Sequence, residues 1–417
     1  MTMSSEIIFI QTDDGATFLD AASGAVLWRT TAYGAFHPFS AALYATDADR
    51  RLVRLKPQTG AIRWLSADDV GAPTFAHEET LYTLTADGAI TALRADSGAA
   101  VWRTAPGSYV RVLAVKDGLL IAQAEYHATP GNRSSDSLGG ALVMLDAASG
   151  ARRWSYAWTY TGDVRLDGHD DHRLPFAYRA GVVYFIAFDD QLRAHIAADG
   201  QALWDQQLSA PIVAAPLLGD DVLYIGSNAR LIAVDATTGR SLWRSKLNTE
   251  WWNVQGLLAA DRYVMYPVTY LARFGEHIGV EVNYISAHSD NSDSHESGSL
   301  TLISATSAPS WSHYFSGGVR LLGELDGVLG CPSISAYVHT FDALDATTGA
   351  VRWSRDTLKL APRLRGLQGG RYFYVFFDDR LHALAPQNGA VVWSRRVITK
   401  AIYHSIGFIR DWGILAG

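Results

Sequence analysis

An all-β fold, a single closed β-propeller of eight or nine four-stranded antiparallel blades, is what this sequence predicts, on three observations. A short motif recurs from end to end: Asp235-Ala-Thr-Thr-Gly-Arg-Ser-Leu-Trp243 has a near-copy in Asp345-Ala-Thr-Thr-Gly-Ala-Val-Arg-Trp353. Between copies lie short β-rich runs separated by Gly, Asp and Asn. Tryptophan and glycine are abundant, at 13 and 37 copies in 417 residues, which suits many short strands joined by tight turns.

Each copy reads as a strand end, a polar turn closed by Gly, and a second strand ending in Trp. Gly serves a turn position of positive φ, which a Cβ makes costly. The Trp four positions on can bury roughly 150–250 Å² between neighbouring units. The Trp series is Trp28, Trp64, Trp102, Trp154, Trp204, Trp243, Trp311, Trp353 and Trp393, and the turn glycines are Gly24, Gly60, Gly98, Gly150, Gly200, Gly239, Gly349 and Gly389. The unit ending at Trp311 departs from the pattern, with Ser307 in place of Gly and Pro309 inside the last strand. It reads either as a blade or as an insertion that imitates one, and this choice sets the blade number.

The unit ending at Trp243 shows all its strands: Ile212-Val-Ala-Ala-Pro-Leu-Leu218, Val222-Leu-Tyr-Ile225, Leu231-Ile-Ala-Val234 and Ser241-Leu-Trp243. Labelled A to D, they form a unit that cannot bury its own faces and must stack on neighbours. The first unit opens on a B-like strand, Ile7-Ile-Phe-Ile10, while spare strand material follows Trp393 in Ser405–Arg410 and Gly413–Ala416. Residues 1–417 are therefore expected to form one domain, closed by the C-terminal strands against the N-terminal unit, which removes two sheet edges at once. The recurring turn Asp (Asp20, Asp146, Asp235, Asp345) reads as an Asx-type turn residue and not as a metal ligand.

A net charge of −7 excludes a global basic footprint for nucleic acid. With Cys331 alone, neither an intrachain disulfide nor a cysteine-based metal cluster can form. No run of about 20 apolar residues is present to span a membrane. The opening Met-Thr-Met-Ser-Ser-Glu-Ile-Ile-Phe-Ile lacks the basic region and the apolar length of a signal peptide. The expectation is a soluble cytoplasmic protein that engages no membrane.

With Gly-x-x-x-Trp ending eight of the nine units, the chain resembles the pyrroloquinoline-quinone-type β-propeller repeat family. That repeat is seen in quinoprotein alcohol dehydrogenases and in an outer-membrane assembly lipoprotein. The resemblance implies the fold and serves enzymes and scaffolds alike. The dehydrogenases of the family carry adjacent cysteines at their cofactor, and some add a haem-binding Cys-x-x-Cys-His. Cys331 alone supplies neither, so quinone-dependent catalysis is not expected and no cofactor is called for.

Function is most often added where a repeat is interrupted. Insertions are expected at about 125–140 and 271–299, between strands B and C, and at 155–173 and 245–255, between strand D and the next A. Antiparallel alternation sends B–C and D–A connections out at one end of the blades and A–B and C–D turns out at the other. The expected function is a non-catalytic scaffold that binds a protein partner through this loop-bearing face, a class that includes inhibitor or immunity-type proteins. Trp158, Tyr160, Trp251, Trp252, Phe274 and Tyr284 are the candidate anchors.

The alternative is an enzyme or a sensor of a small anionic ligand, using Arg111, Arg320, Arg363, Arg365 and His404 near the starts of the innermost strands, where guanidinium groups pair with carboxylate or phosphate. His169 and His172 form a weak metal motif within Gly168-His-Asp-Asp-His172. Asp290, Asp293 and Glu296 miss the spacing of a calcium loop and read as solvated.

Overall fold

The computed structural model describes residues 6–12, 15–39, 42–127, 138–159, 174–187, 191–208, 214–227, 230–247, 268–274, 277–285, 296–304, 309–315, 318–334, 339–356, 367–377, 380–396 and 403–409. These build nine antiparallel sheets of the propeller-blade type, with no helix among the described residues. Two compact units share them: one holds Met1–Ala21, Ala25–Asp205 and Gly407–Gly417, the other Ala22–Gly24 and Gln206–Ile406.

In the first unit, sheet 2 is typical. Its strands Ala35–Phe39, Ala42–Thr46, Leu52–Leu55 and Ile62–Leu65 pair in chain order as A, B, C and D. Sheet 3 (Ala72–His77, Thr80–Leu84, Ile90–Arg94, Ala100–Arg103) and sheet 4 (Tyr109–Lys116, Leu119–His127, Leu138–Asp146, Arg152–Thr159) repeat the order. Sheet 5 does so with Phe176–Arg179, Val182–Ile186, Gln191–Ile196 and Ala202–Gln207. Sheet 1 takes B, C and D from Ile7–Thr12, Gly15–Asp20 and Val26–Thr30, and beside Ile7–Thr12 lies Tyr403–Ile409.

The second unit holds sheet 6 (Leu217–Leu218, Val222–Ser227, Arg230–Asp235, Ser241–Lys246) and sheet 7 (Val268–Phe274, His277–Ile285, Glu296–Ser304, Pro309–Phe315). Sheet 8 has Gly318–Val319 and Gly323–Leu325 as a broken A strand, then Val328–Ile334, His339–Asp345 and Val351–Asp356. Sheet 9 has Leu367–Gly369, Tyr372–Phe377, Arg380–Leu384 and Val391–Arg396. The unit ending at Trp311 is thus a genuine blade, and the count is nine. Pro309 fits because it opens the D strand at a sheet edge, where a missing N–H costs least.

Sheet 7 also corrects the expected 271–299 insertion. Val268–Phe274 and His277–Ile285 are its A and B strands, joined by the two-residue link 275–276. The alternation of Ile278, Val280 and Val282, all buried, shows why this stretch joins the sheet. In sheet 4 the 125–140 stretch is partly a lengthened hairpin, paired from Leu119↔Asp146 to His127↔Leu138.

Central strands B and C are apolar and buried, and the sheets pack through them: Phe9, Phe18, Leu43 and Val53 share one cluster, and Phe341, Phe373 and Val375 another. Five B strands carry Tyr at their third residue (Tyr44, Tyr82, Tyr184, Tyr224, Tyr374), each ring about 6 Å from the Trp of its own D strand. In eight sheets a register shift falls at the residue before the D-strand Trp, as between Ala233↔Trp243 and Val234↔Ser241. Such a one-residue bulge re-aims the side chain that follows it.

The re-aimed indole docks on the next sheet. Within the first unit, Trp28 Nε1 donates to Pro57 O at 2.6 Å, Trp64 to Ala95 O at 2.9 Å and Trp102 to Ala147 O at 3.0 Å. Within the second, Trp311 donates to Ala346 O at 3.2 Å and Trp353 to Pro386 O at 2.7 Å. Gly60 shows why the turn needs glycine: φ is +71°, and a Cβ would stand 2.7 Å from the Trp28 ring.

Candidate partner-binding surface

The turn carboxylates are structural. Asp235 Oδ1 accepts from the Thr237 and Thr238 N–H groups at 2.9 and 2.8 Å and from Thr238 Oγ1 at 2.9 Å. Asp345 repeats this with Thr347 and Thr348 and adds Arg352 Nη2 at 2.6 Å. The Arg352 side chain, then the Thr348 N–H, hold the Asp345 carboxyl down at about 2. These bonds close the C–D turns of sheets 6 and 8, and Asp146 makes the same kind in sheet 4; the longer connections leave from the other end of the sheets.

At that loop-bearing end, three side chains missed in the sequence reading tie down the start of a following sheet. Each is the fifth residue of a B strand. Gln11 Nε2 donates to Gly34 O at 2.6 Å and its Oε1 accepts from the Phe36 N–H at 3.3 Å, at the opening of sheet 2. Gln123, only 1% exposed, accepts from the Leu174 N–H at 3.0 Å and donates to Glu125 Oε1 at 3.0 Å. Glu281, 4% exposed, accepts from the Leu321 N–H at 2.8 Å, beside the A strand of sheet 8. A buried acceptor that meets a backbone donor secures where the D–A connection ends and the next sheet starts. The signal was present: an amide or carboxylate as the fifth residue of a B strand, straight after a run of three or four apolar ones.

The expected anchors separate. Trp158 is a core residue and no exposed anchor: it is 8% exposed, packs among Leu142, Leu174 and Phe185, and its ring lies where a Cβ on Gly140 would be, 2.5 Å away. It is buried because the long D strand of sheet 4 keeps it over the core, where a large aromatic gains most. Phe274 ends the A strand of sheet 7, and Tyr284 lies in its B strand opposite Ser297. Tyr160, Trp251 and Trp252 lie outside the described residues.

Of the expected anion-binding set, Arg111 lies half-buried in the first unit, on the A strand of sheet 4 opposite Gln123. Arg320 is exposed in the second unit, and its N–H donates to Pro332 O at 3.1 Å. His404 sits on the Tyr403–Ile409 strand, while Arg363 and Arg365 fall outside the described residues. His169, His172, Asp290 and Asp293 do too, and Glu296 opens the C strand of sheet 7. Among the described residues no group of three or more His, Cys, Asp or Glu is placed to hold a metal ion. Burial, with Asp342 and Glu281 nearby, pushes the Cys331 thiol well up, so it is poorly disposed to act as a nucleophile.

A family model described as outer membrane protein assembly factor BamB matches residues 12–245, 139–283 and 328–411. The chain belongs to this family. The pyrroloquinoline-quinone-type repeat seen in the sequence is therefore the right one. BamB of Vibrio cholerae is 32% identical over 117 residues, which cover 25% of this chain and 29% of that protein. BamB of Shewanella oneidensis is 23% identical over 175 residues, covering 39% and 40%. The matched stretches thus span less than half the length of these relatives. The crystal structure of BamB from Moraxella catarrhalis is 17% identical, with 85% of this chain and 91% of that chain covered and a TM-score of 0.48.

Family membership overturns the expected cytoplasmic location, because the family carries the name of an outer-membrane assembly factor. The expectation leaned on the first ten residues, and leaders are removed from mature chains, so such residues are a poor guide to where a protein works. Among the described residues no helix is long and apolar enough to cross a membrane.

Proposed function

We propose that this chain is a non-catalytic scaffold that binds a protein partner through the loop-bearing ends of its sheets. One observation carries the reading. The buried side chain of Gln123 holds the end of a D–A connection and that of Glu281 the break in the A strand just after one, a rigid base of the kind from which loops bind. The name shared by its relatives, an outer membrane protein assembly factor, supports a partner in the assembly of outer-membrane proteins. An inhibitor or immunity-type role is a finer version, in which the loops cap the partner. The first unit would offer Tyr160 as an aromatic anchor, and the second Trp251 and Trp252 with Phe274 and Tyr284 on sheet 7.

The test is in-cell photo-crosslinking from positions 160, 251 and 252, with identification of the captured protein, followed by affinity measurements on purified components. Trp251→Ala, Trp252→Ala and a Gly-Ser replacement of 128–137 are each expected to weaken capture about fivefold or more while the melting temperature holds. Capture that survives all three, or crosslinks only from the short-turn ends of the sheets, overturns the reading.

A further inference from the structure

The outer strands carry a second feature, unconnected with the loops. Every D strand ends its sheet and pairs on one side only. Among the described residues, ten of the eleven large apolar side chains that stand exposed lie on D strands, among them Leu27, Ile62, Val101, Leu203, Leu242 and Val392. The nine D strands also hold eleven Arg and Lys against two Asp, in a chain whose net charge is −7. Unpaired backbone, exposed apolar side chains and concentrated positive charge therefore share one edge.

Sheet 6 shows where this leads. Its D strand, Ser241-Leu-Trp-Arg-Ser-Lys246, exposes Leu242 (51%), Arg244 and Lys246. Arg230, exposed on the C strand, stands directly opposite Lys246 in the register. Like charges directly opposite are unfavourable, and no described carboxylate pairs with Arg230, Arg244 or Lys246. Among the described residues, the side chain of Arg244 makes one long contact, Nε to Ser241 Oγ at 3.5 Å. Sheet 9 repeats the pairing, with Arg380 opposite Arg396, but there Arg380 already donates to Ser394 Oγ at 2.6 Å.

We infer that the D edge of sheet 6 receives an extended acidic segment of another protein as a fifth strand. The bulge at Leu242 interrupts the edge, so backbone pairing runs along Trp243–Lys246, in register with Ala233, Ile232, Leu231 and Arg230 behind it. Carboxylates at alternate positions of the incoming strand meet Arg244 and Lys246 and relieve the repulsion with Arg230. An apolar residue covers Leu242. Main-chain bonds supply the attachment and the cations select the sequence. Basic edges also discourage non-specific sheet pairing, and that protective role alone predicts no binding.

The probe is a blocked, fluorescein-labelled ten-residue peptide alternating Glu with Val, titrated into the full chain by anisotropy. It is expected to bind and to slow hydrogen exchange at the amides of 241–246. Arg244→Glu with Lys246→Glu is expected to weaken binding at least about tenfold, with Arg244→Gln/Lys246→Gln as a milder pair should the first disturb folding. A Lys-for-Glu peptide and one N-methylated at alternate residues are both expected to fail. Replacing loop 128–137 is expected to leave the peptide's binding unchanged, which separates this surface from the proposed loop site. No binding, equal binding by the Lys or N-methylated peptide, or protection elsewhere overturns the inference.

Discussion

The indole N–H of Trp154 donates to the backbone carbonyl of Ala197 at 2.7 Å, and the ring lies against Gly200 in the same turn. One residue of sheet 4 thus meets both the hydrogen-bonding and the packing needs of sheet 5. Gly200 has φ +80°, and a Cβ on it would stand 2.7 Å from the Trp154 ring. Gly200→Ala therefore combines backbone strain with overpacking and is expected to cost about 2–4 kcal/mol. Trp154→Phe keeps a ring, loses the donor, and is expected to cost about 1–2 kcal/mol. Urea unfolding followed by fluorescence checks both, and an unchanged midpoint for Gly200→Ala would show that the turn can yield.

Gln123 offers a more local test. Gln123→Leu keeps the approximate shape but deprives the Leu174 N–H of its acceptor in a buried place. The expected cost is about 1–3 kcal/mol, with faster hydrogen exchange at the Leu174 amide. If that amide stays protected, the side chain does not hold the connection.

How much of this was legible in the residues follows from what repeats. Positions filled alike in unit after unit, the D-strand Trp and its Gly, could be read because each solves the same packing problem. Sheet 7 was hard to read because its turn has Ser307 where the others have Gly, and its A and B strands looked like a hairpin insertion. Trp158 was misjudged because 155–173 reads as an insertion beyond the D strand, whereas the strand runs on to Thr159 and its alternation keeps Trp158 on the packed face of Trp154 and Tyr156. Gln11, Gln123 and Glu281 went unnoticed for a different reason: they recur in sheets 1, 4 and 7 only, and their partners lie 23 to 51 residues away.

Acid should weaken the turns through their carboxylates. Asp146 and Asp345 both sit at about 2, against an ordinary value of 3.8, and the first cause in each is the arginine beside it, Arg153 or Arg352. A depressed folded value means the contribution is present in full above the unfolded value and fades as pH falls through the folded one. The window therefore runs from just above pH 4 down to about 2. Asp345→Asn is expected to melt below the parent at pH 6 and to converge with it as pH approaches 2. The gap should be modest, because Arg352 is well exposed and solvent screens the pair. Thermal melts across that range, at low and high salt, give the comparison; a gap independent of pH would place its cause outside the carboxylate's ionisation.

The strand Tyr403–Ile409 beside Ile7–Thr12 supports closure of the chain by its own C-terminal strand, which we hold as a proposal. Ile7, Ile8, Phe9 and Ile10 are all buried, so this B strand belongs to the interior and is poorly suited to an edge. Removing residues 403–417 leaves its outer N–H and C=O groups without partners and uncovers apolar surface. A loss of several kcal/mol is expected, read as a fall in melting temperature of roughly 1 °C for each kcal/mol in a chain of this size. A shorter deletion, 410–417, spares the strand and is expected to leave the melt nearly unchanged. The longer deletion should also aggregate faster, since it exposes a flat apolar edge, and adding the missing segment as a synthetic peptide should restore the melt. If both deletions melt like the full chain, the strand contributes little and the closure proposal falls; if both melt early, residues 410–417 carry the effect instead.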